Sequence, residues 1–234
     1  METFSSLDLL PSLQVTLEEK GLITLTQIQA RALPAFLQGR SIVGVAETGS
    51  GKTLAYALPI LHLLKSYENN NRVKREPAFQ APDQATAQAI NDKPVEVDGQ
   101  PLAAVIVPTR ELGEQVTRVF KLFTHTTRLR VRSVLGGTDL DVAKRNISGP
   151  FDILIATPGR LIKLLDRGLV NLSEIKVLVF DEADQMLDQG FLASATQIVE
   201  ACPPNRQMAL FSATVSRQVQ DVMTKLFSDA EVIR

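Results

Sequence analysis

The segment from Ala46 to Thr53, AETGSGKT, has the residue types and spacing that hold a phosphate group, apart from alanine where the pattern begins with glycine. Its two glycines allow successive backbone N–H groups to turn inward around phosphate oxygens at the start of a helix. The lysine supplies positive charge, and the last threonine supplies a hydroxyl for Mg²⁺. The alternative is a glycine-rich turn that only caps a helix, with the lysine in solvent. The predicted phosphate-binding residues are Thr48, Gly49, Ser50, Gly51, Lys52 and Thr53.

Four residues with three acids, Asp181 to Asp184 (DEAD), follow the apolar run Val177–Phe180. Phosphoryl transfer needs a cation across the β- and γ-phosphates and an acid beside the attacking water. We therefore assign Asp181 to Mg²⁺, through bound water, and Glu182 to orienting and deprotonating the attacking water. Taken alone, such acids are equally typical of a helix N-terminus, where negative charge is favourable. The phosphate-binding pattern favours catalysis, with Lys52, Asp181 and Glu182 as the catalytic residues.

The segments that must position these residues alternate between two patterns. Short, β-branched apolar runs predict strands buried on both faces, and the stretches between them have helical spacing. This alternation is typical of an α/β domain with a doubly wound, mainly parallel sheet, in which ligands bind at the carboxyl ends of the strands. The predicted strands are Ile42–Val45, Ala103–Val107, Val131–Leu135, Ile153–Ile155, Val177–Phe180 and Met208–Phe211. The predicted helices are Thr53–Leu64, Glu111–Phe123, Leu161–Asp166, Phe191–Glu200 and Arg217–Phe227.

The totals are typical of one globular domain. A chain of 234 residues can bury a sizeable core, and 44% hydrophobic residues with 22% charged ones is too apolar for disorder. Lys plus Arg number 25 against 26 for Asp plus Glu, so any nucleic-acid site must be a local patch. The single cysteine, Cys202, and two histidines exclude an internal disulfide and a zinc cluster, and they fit a reducing cytoplasm. No segment approaches the ~18 uninterrupted apolar residues of a membrane span.

One polar segment, from Glu68 to Gln100, interrupts the alternation. It has little apolar periodicity and contains an asparagine triplet and several prolines, which predicts a long surface insertion over residues 68–101. The basic cluster Arg72–Arg75 is an alternative contact for RNA, although Glu76 and Asp83 offset its charge.

Together these residues resemble the first RecA-like domain of DEAD-box RNA helicases. That family carries, in order, AxTGxGKT, PTRELxxQ, a Gly-Gly, TPGR, DEAD and SAT. The resemblance covers nearly the whole chain apart from the insertion. It implies a RecA-like P-loop NTPase fold, ATP and Mg²⁺ as cofactors, and RNA-stimulated ATP hydrolysis coupled to unwinding of short RNA duplexes. The matching segments are Ala46–Thr53, Pro108–Leu112 with Gln115, Gly136-Gly137, Thr157–Arg160, Asp181–Asp184 and Ser212–Thr214.

The resemblance also implies an adenine-binding motif within residues 1–40, where this sequence departs from the family. The usual motif is glycine followed by Pro-Thr-Pro-Ile-Gln, and here Leu25 and Gln27 replace the prolines. Gln29 still fits, because a carboxamide offers one donor and one acceptor to the N6 and N7 of adenine. Phe4, 17 residues before the motif's glycine, resembles the upstream aromatic that stacks on the base. The alternatives are a polar helix residue for Gln29 and core packing for Phe4.

The same resemblance assigns three loops to the RNA backbone. Arginines pair with phosphates, threonine hydroxyls donate hydrogen bonds, and glycines allow close approach. No base edge is read, so recognition is expected to be independent of sequence and to use 2′-OH contacts or A-form shape. The structural alternatives are a plain turn at Gly136-Gly137 and a helix start at Pro158-Gly159. The assigned residues are Pro108, Thr109, Arg110, Gly136, Gly137, Thr157, Pro158, Gly159 and Arg160.

Ser212 and Thr214 follow a predicted strand and are expected near Asp184. There the two hydroxyls can hydrogen-bond the acidic motif and couple nucleotide state to RNA binding. Serine and threonine after a strand are also common helix caps, and both roles are compatible.

The family's second RecA-like domain closes over ATP and supplies arginines, and an arginine finger contributes on the order of 10³ to 10⁵ in rate. After Thr214 only one helical stretch and Val232–Arg234 follow, so we expect 1–234 to form a single, monomeric domain without that second domain. Such a chain binds nucleotide with little turnover. Two other function classes stay open: a non-catalytic, nucleotide-switched RNA-binding module, and an ATPase acting on DNA or another phosphate-loop enzyme such as a kinase. TPGR and SAT argue against the kinase.

Overall fold

The computed structural model describes residues 2–73, 99–137 and 140–234. A seven-stranded sheet forms the centre, and its strands are β1 Ile42–Val45, β2 Ala103–Ile106, β3 Val131–Val134, β4 Ile153–Ala156, β5 Val177–Phe180, β6 Gln207–Ser212 and β7 Glu231–Ile233. Their order is β3-β4-β2-β5-β6-β1-β7, and every neighbouring pair is parallel.

Helices cover both faces of this sheet. They are a 3₁₀ turn at Phe4–Ser6, α1 Pro11–Glu19, α2 Gln27–Leu37, α3 Lys52–Val73, α4 Arg110–Thr127, α5 Leu140–Asn146, α6 Pro158–Leu165, α7 Ala183–Asp188, α8 Leu192–Glu200 and α9 Arg217–Leu226. Along β2, Ala103 and Val105 join one buried apolar cluster with α1 to α4, whereas Ala104 and Ile106 join a second cluster with α5 to α9. Alternate residues of a strand face opposite sides of a sheet, so both faces are buried and the predicted doubly wound fold is confirmed.

The six predicted strands and five predicted helices are all present, and each strand ends within one residue of its predicted limit. The elements not predicted are the 3₁₀ turn at Phe4–Ser6, α1, α2, α5, α7 and β7. Two of the missed helices, α5 and α7, have only 7 and 6 residues, too few to show a helical period. Pro34 lies inside α2, where proline usually argues against a helix. The missed strand has three residues, two of them exposed.

The predicted insertion overlaps the end of a helix. Helix α3 continues to Val73, beyond its predicted end at Leu64, so residues 68–73 are helical, and the insertion at 68–101 stays a prediction. The sequence did not predict these last turns of α3, because consecutive asparagines have low helix propensity. The rest of the segment, 74–98, lies outside the described residues, as does most of the basic cluster.

The strand order determines what can meet at the carboxyl edge. Strand β6 lies between β1 and β5, so it separates the loop after β1 from the loop after β5 by one strand. The backbone N–H of Ala46, just after β1, donates to the carbonyl of Ser212 at the end of β6, at 3.0 Å. Within the described residues no helix is both long and apolar enough to cross a membrane.

Candidate active site

The loop after β1, Ala46–Thr53, turns from strand into helix α3 through two left-handed glycines. Gly49 has φ +84° and Gly51 has φ +92°, a region that other residues rarely adopt. A Cβ on Gly51 would lie 2.5 Å from Nε2 of Gln29. The glycines are therefore required by the backbone path and, at Gly51, by close approach. Lys52 then opens α3, as the phosphate-loop pattern predicts.

Lys52 joins this phosphate loop to the acidic motif. Its Nζ lies 3.0 Å from Oε1 of Glu182 and donates to the carbonyl of Ala46 at 2.8 Å. The side chains of Lys52 and Glu182 are only 5% and 6% exposed, so each charge neutralises the other away from solvent. An ammonium group has three donors, and one of them is left for a phosphate oxygen.

Glu182 is held in a strained position that keeps part of its carboxylate available. Its φ is +52°, in the left-handed region that a glutamate adopts only when the surroundings enforce it. Oε1 receives the Lys52 contact and a long hydrogen bond from the Thr48 hydroxyl, at 3.4 Å. Oε2 is buried without a partner, and so is the Ser50 hydroxyl. Unsatisfied buried polar atoms are rare and destabilising, so this arrangement indicates a polar ligand or water between loop and motif.

Asp181, at the end of β5, is 2% exposed. Burial raises the pKa of its carboxyl from 3.8 to about 6, against the opposing effects of a hydrogen bond from Tyr56 and the charge of Lys52. The Tyr56 hydroxyl donates to Oδ2 at 2.8 Å. Burial and the Asp181 charge raise the pKa of Tyr56 well above its usual value, which keeps this hydroxyl a donor.

Tyr56 is the residue of this site that sequence reasoning missed. It follows Lys52 by four residues, so both lie on the same face of α3. That spacing is the sequence signal that could have placed Tyr56 in the site. An aromatic residue in an apolar helix, however, is also typical of ordinary core packing.

Asp184 connects the acidic motif to the end of β6. Its Oδ2 accepts hydrogen bonds from the backbone N–H and the hydroxyl of Thr214, both at 2.9 Å. Its own backbone N–H donates to the Ser212 hydroxyl at 3.3 Å. The predicted hydrogen bonds between these hydroxyls and the acidic motif are therefore confirmed.

Gln29 lies against the phosphate loop with its carboxamide engaged at both ends. Nε2 donates to the carbonyl of Gly51 at 3.0 Å, and Oε1 accepts from the backbone N–H of Thr26, also at 3.0 Å. One further donor and one acceptor lone pair remain for a base.

Phe4 does not offer a ring face to a base. Its side chain is 2% exposed and belongs to the apolar core that includes α1 and α2. The burial of Phe4 favours the core-packing alternative, and its stacking on adenine stays a prediction. Spacing along the chain carried no information on which way the ring points.

Most of the residues assigned to RNA meet in one open groove beside the acidic motif. The lining residues predicted from sequence are Pro108, Arg110, Gly136, Gly137, Thr157, Gly159 and Arg160. Three further residues line it that were not predicted: Glu111, Lys163 and Phe191. For Lys163 the sequence contained a signal, because Lys163 follows Arg160 by three residues on α6 and lies on the same face of the helix.

Two assigned residues have structural roles outside the groove lining. The hydroxyl of Thr109 accepts from the backbone N–H of Leu112 at 3.3 Å, so it caps α4. Pro158 is buried at the first position of α6, as the helix-start alternative describes.

Comparison with known proteins now bears on the whole arrangement. The family model of DEAD/DEAH box helicases matches residues 26–222. The chain belongs to that family. RNA helicase CrhR of Synechocystis is 32% identical over 231 residues, covering 99% of this chain and 41% of that protein. ATP-dependent RNA helicase RhlB of Actinobacillus succinogenes is 33% identical over 234 residues, covering 99% and 51%.

A solved structure of another such helicase has the same fold. It is a hypothetical ATP-dependent RNA helicase from Sulfolobus tokodaii, with a TM-score of 0.75 and 29% identity, covering 95% of this chain and 56% of that one. This DEAD-box chain spans about half or less of the length of the two curated relatives.

The oxygen donors of this DEAD-box chain suit Mg²⁺. In the described ranges no group of three or more His, Cys, Asp or Glu could hold a metal. Magnesium, however, usually takes one or two protein oxygens and completes its octahedron with phosphates and water. The Asp181 carboxylate and the Thr53 hydroxyl provide such oxygens, and the Asp181 carboxylate accepts a hydrogen bond from Tyr56. The residues present therefore fit the ion.

Proposed function

We propose that this chain is the ATP- and Mg²⁺-binding first RecA-like domain of a DEAD-box RNA helicase. The observation that carries the proposal is the buried contact of 3.0 Å between Lys52 Nζ and Glu182 Oε1. It joins a phosphate-binding loop to the acid of a hydrolytic motif, although 129 residues separate the two in sequence. Family membership and the partnerless oxygen atoms of Ser50 and Glu182 support the same conclusion.

The geometry supports a division of roles in hydrolysis. Lys52, Thr48, Ser50 and the backbone N–H groups of the phosphate loop bind the phosphates, and Gln29 contacts the base. Thr53 and Asp181 would hold Mg²⁺, which would supply positive charge against the phosphates during transfer. The attacking water forms a bond to the γ-phosphorus as the bond to the β-phosphate oxygen breaks, and Glu182 accepts the water's proton.

The Lys52–Glu182 contact gives this scheme a switch. When a phosphate oxygen takes up the remaining donor of Lys52, the contact between Lys52 and Glu182 weakens and the carboxylate becomes a stronger base. Binding of the nucleotide therefore also prepares the catalytic acid–base group.

RNA binding is proposed for the open groove. Arg110, Arg160 and Lys163 supply positive charge there, and the paired glycines let a backbone approach closely. Helix α7 begins within the acidic motif and leads to Phe191 in the groove lining. This short connection, together with the bonds of Asp184 to Ser212 and Thr214, is the proposed path between nucleotide state and RNA.

The activity of the whole protein is part of the proposal. We propose that 1–234 is one domain, and that a second RecA-like domain closes over ATP, supplies arginines and enables RNA-stimulated hydrolysis with unwinding of short duplexes. The chain alone then binds nucleotide with little turnover. A monomer in the cytoplasm is the proposed state, consistent with a single, buried cysteine.

The test is nucleotide binding by this chain, measured with a fluorescent ADP analogue. Lys52→Ala is expected to weaken binding at least tenfold, because it removes the phosphate's cation. Lys65→Ala is the matched control on the same helix, since Lys65 pairs with Glu68 away from the loop. Equal affinities of wild type and Lys52→Ala for the ADP analogue would contradict the proposal. In the full-length protein, stimulation of ATPase by RNA but not by DNA of equal length separates an RNA helicase from a DNA-dependent ATPase.

A further inference from the structure

Tyr56 is a buried, ionisable residue to which the proposed chemistry gives no part. It is fully buried, and its ring packs on Phe211 and Phe120, with centroid distances of 5.4 and 6.4 Å. The ring position is therefore set by packing, not by the hydroxyl. That hydroxyl donates to Oδ2 of Asp181 at 2.8 Å, a good hydrogen-bond distance inside a dry core.

The Asp181 carboxylate is held at both oxygens. Oδ2 accepts from Tyr56, and Oδ1 accepts from the backbone N–H of Glu182 at 3.0 Å. A carboxylate oxygen can accept two hydrogen bonds, so each oxygen keeps one lone pair for water or a cation. Tyr56 is the side chain that fixes the orientation in which those lone pairs are presented.

The same tyrosine lies beside the end of the phosphate loop. Tyr56 follows Thr53 by three residues on α3, so the two side chains lie on the same face of the helix. Tyr56 therefore bonds one of the protein donors proposed for Mg²⁺, Asp181 at the end of β5, and shares a helix face with the other.

We propose that Tyr56 is a positioning residue of the Mg²⁺ site, whose hydroxyl holds the Asp181 carboxylate in the orientation that receives the cation. The inference rests on the proposed function, because it takes Mg²⁺ and a nucleotide as the ligands. Tyr56 acts through Asp181 and touches no reacting atom. Phenylalanine at this position keeps the ring packing and loses only the donor.

The first experiment compares Tyr56→Phe with wild type in a Mg²⁺ titration of fluorescent ADP binding. We expect the Mg²⁺ concentration at half-saturation to rise about 3- to 10-fold, as loss of one ordinary hydrogen bond predicts. Affinity in EDTA should stay within about twofold, because the phosphate contacts are intact. Tyr67→Phe is the matched control, since Tyr67 is the chain's other tyrosine and is 43% exposed.

The second experiment needs no change at Tyr56. Biosynthetic 3-fluorotyrosine in the Tyr67→Phe protein leaves one ¹⁹F label, at Tyr56. With ADP bound, addition of Mg²⁺ should shift this resonance with the midpoint of the binding titration, whereas the label at Tyr67 in the Tyr56→Phe protein should not move.

The outcomes separate the inference from the proposed function. The positioning role is overturned if Tyr56→Phe needs the same Mg²⁺ concentration as wild type. It is also overturned if the ¹⁹F resonance of Tyr56 does not shift when Mg²⁺ is added. An equal loss of affinity in EDTA also overturns it, because the hydroxyl would then only support the fold. Wild type that binds ADP without regard to Mg²⁺ overturns the proposed Mg²⁺ site itself, and the inference with it.

Discussion

The nucleotide end and the open groove are built from similar residue types in opposite environments. At the nucleotide end, Lys52, Asp181 and Glu182 are at most 6% exposed, and each has a partner within the protein. In the groove, Arg110 is exposed and pairs with Glu114, also largely exposed, at 2.8 Å. Buried charges must be paired at fixed distances because their desolvation is unfavourable. Exposed charges are screened by water and salt, and they leave their neighbours easily.

The difference teaches how each site should respond to change. A buried, prearranged site loses function when one atom is replaced, since no neighbour can compensate. A solvated groove loses affinity in small, nearly independent steps, one phosphate contact at a time.

Replacement of the proposed general base, Glu182, should give the largest effect at the nucleotide end. Glu182→Gln in the full-length protein is expected to lower RNA-stimulated kcat about 10²- to 10⁴-fold, the usual contribution of a general base. Nucleotide affinity should be retained, because the amide keeps the side chain's volume. Steady-state ATPase assays and ADP titrations measure both, with the exposed Glu174→Gln as control. ATPase activity within threefold of wild type would remove Glu182 as the base.

Loss of the buried charge at Asp181 should stabilise the fold while abolishing Mg²⁺-dependent binding. The pKa of Asp181 in the folded protein, about 6, lies above the ordinary value of 3.8. Above pH 6 the buried carboxylate is ionised, and its charge lowers the stability of the folded state. Asp181→Asn should therefore be more stable than wild type at pH 8, by on the order of 2 kcal/mol.

This advantage should shrink as pH falls through 6 towards 4, because wild type then becomes neutral at this position. Urea unfolding of both proteins at pH 8 and pH 5 gives the comparison. An advantage that grows on acidification would contradict the burial argument.

A smaller effect is expected where the two regions are coupled. Thr214→Val removes the hydroxyl bond to Asp184 and leaves the backbone N–H bond at 2.9 Å. RNA stimulation of ATPase in the full-length protein should fall about fivefold, equivalent to one hydrogen bond of about 1 kcal/mol. The control is Thr224→Val, whose exposed hydroxyl only bonds within α9. Unaltered stimulation would mean that Asp184 does not transmit the nucleotide state through Thr214.

The smallest effect belongs to the groove. Lys163→Ala should lower RNA affinity modestly and reduce the slope of log affinity against log salt by about 0.7, the value for one phosphate contact on a single strand. Lys121→Ala on α4 is the control, because Lys121 is exposed and does not line the groove. Identical slopes for Lys163→Ala and wild type would exclude Lys163 from the phosphate contacts.

Sequence patterns predicted the parts of the site that depend on neighbours in the chain. The phosphate loop needs glycines, lysine and threonine in a fixed order, and buried parallel strands have continuous apolar runs, so both were recognisable. The meeting of Ser212 and Thr214 with Asp184 followed from the shared carboxyl edge of the sheet.

What sequence could not predict depends on side-chain direction across the core. The Tyr56–Asp181 hydrogen bond joins residues 125 apart, and nothing local distinguishes that tyrosine from a core aromatic. The direction of the Phe4 ring was open for the same reason, because its spacing fits a base-stacking residue while its side chain lies in the core. The spacing of Lys163 from Arg160 indicates a shared helix face. That this face lines the groove follows only from the position of α6 beside the loops after β2 and β3.

Ser212 serves two loops with two different parts of the residue. Its carbonyl holds the phosphate loop through Ala46, and its hydroxyl holds the acidic motif through Asp184. Every residue has a backbone carbonyl, so the first bond tolerates replacement of the side chain, whereas the second does not. Substitution of Ser212 would therefore preserve the backbone bond to the phosphate loop. It would remove only the side-chain bond that links the end of β6 to the acidic motif. Nucleotide binding can thus outlast helicase activity as a lineage diverges.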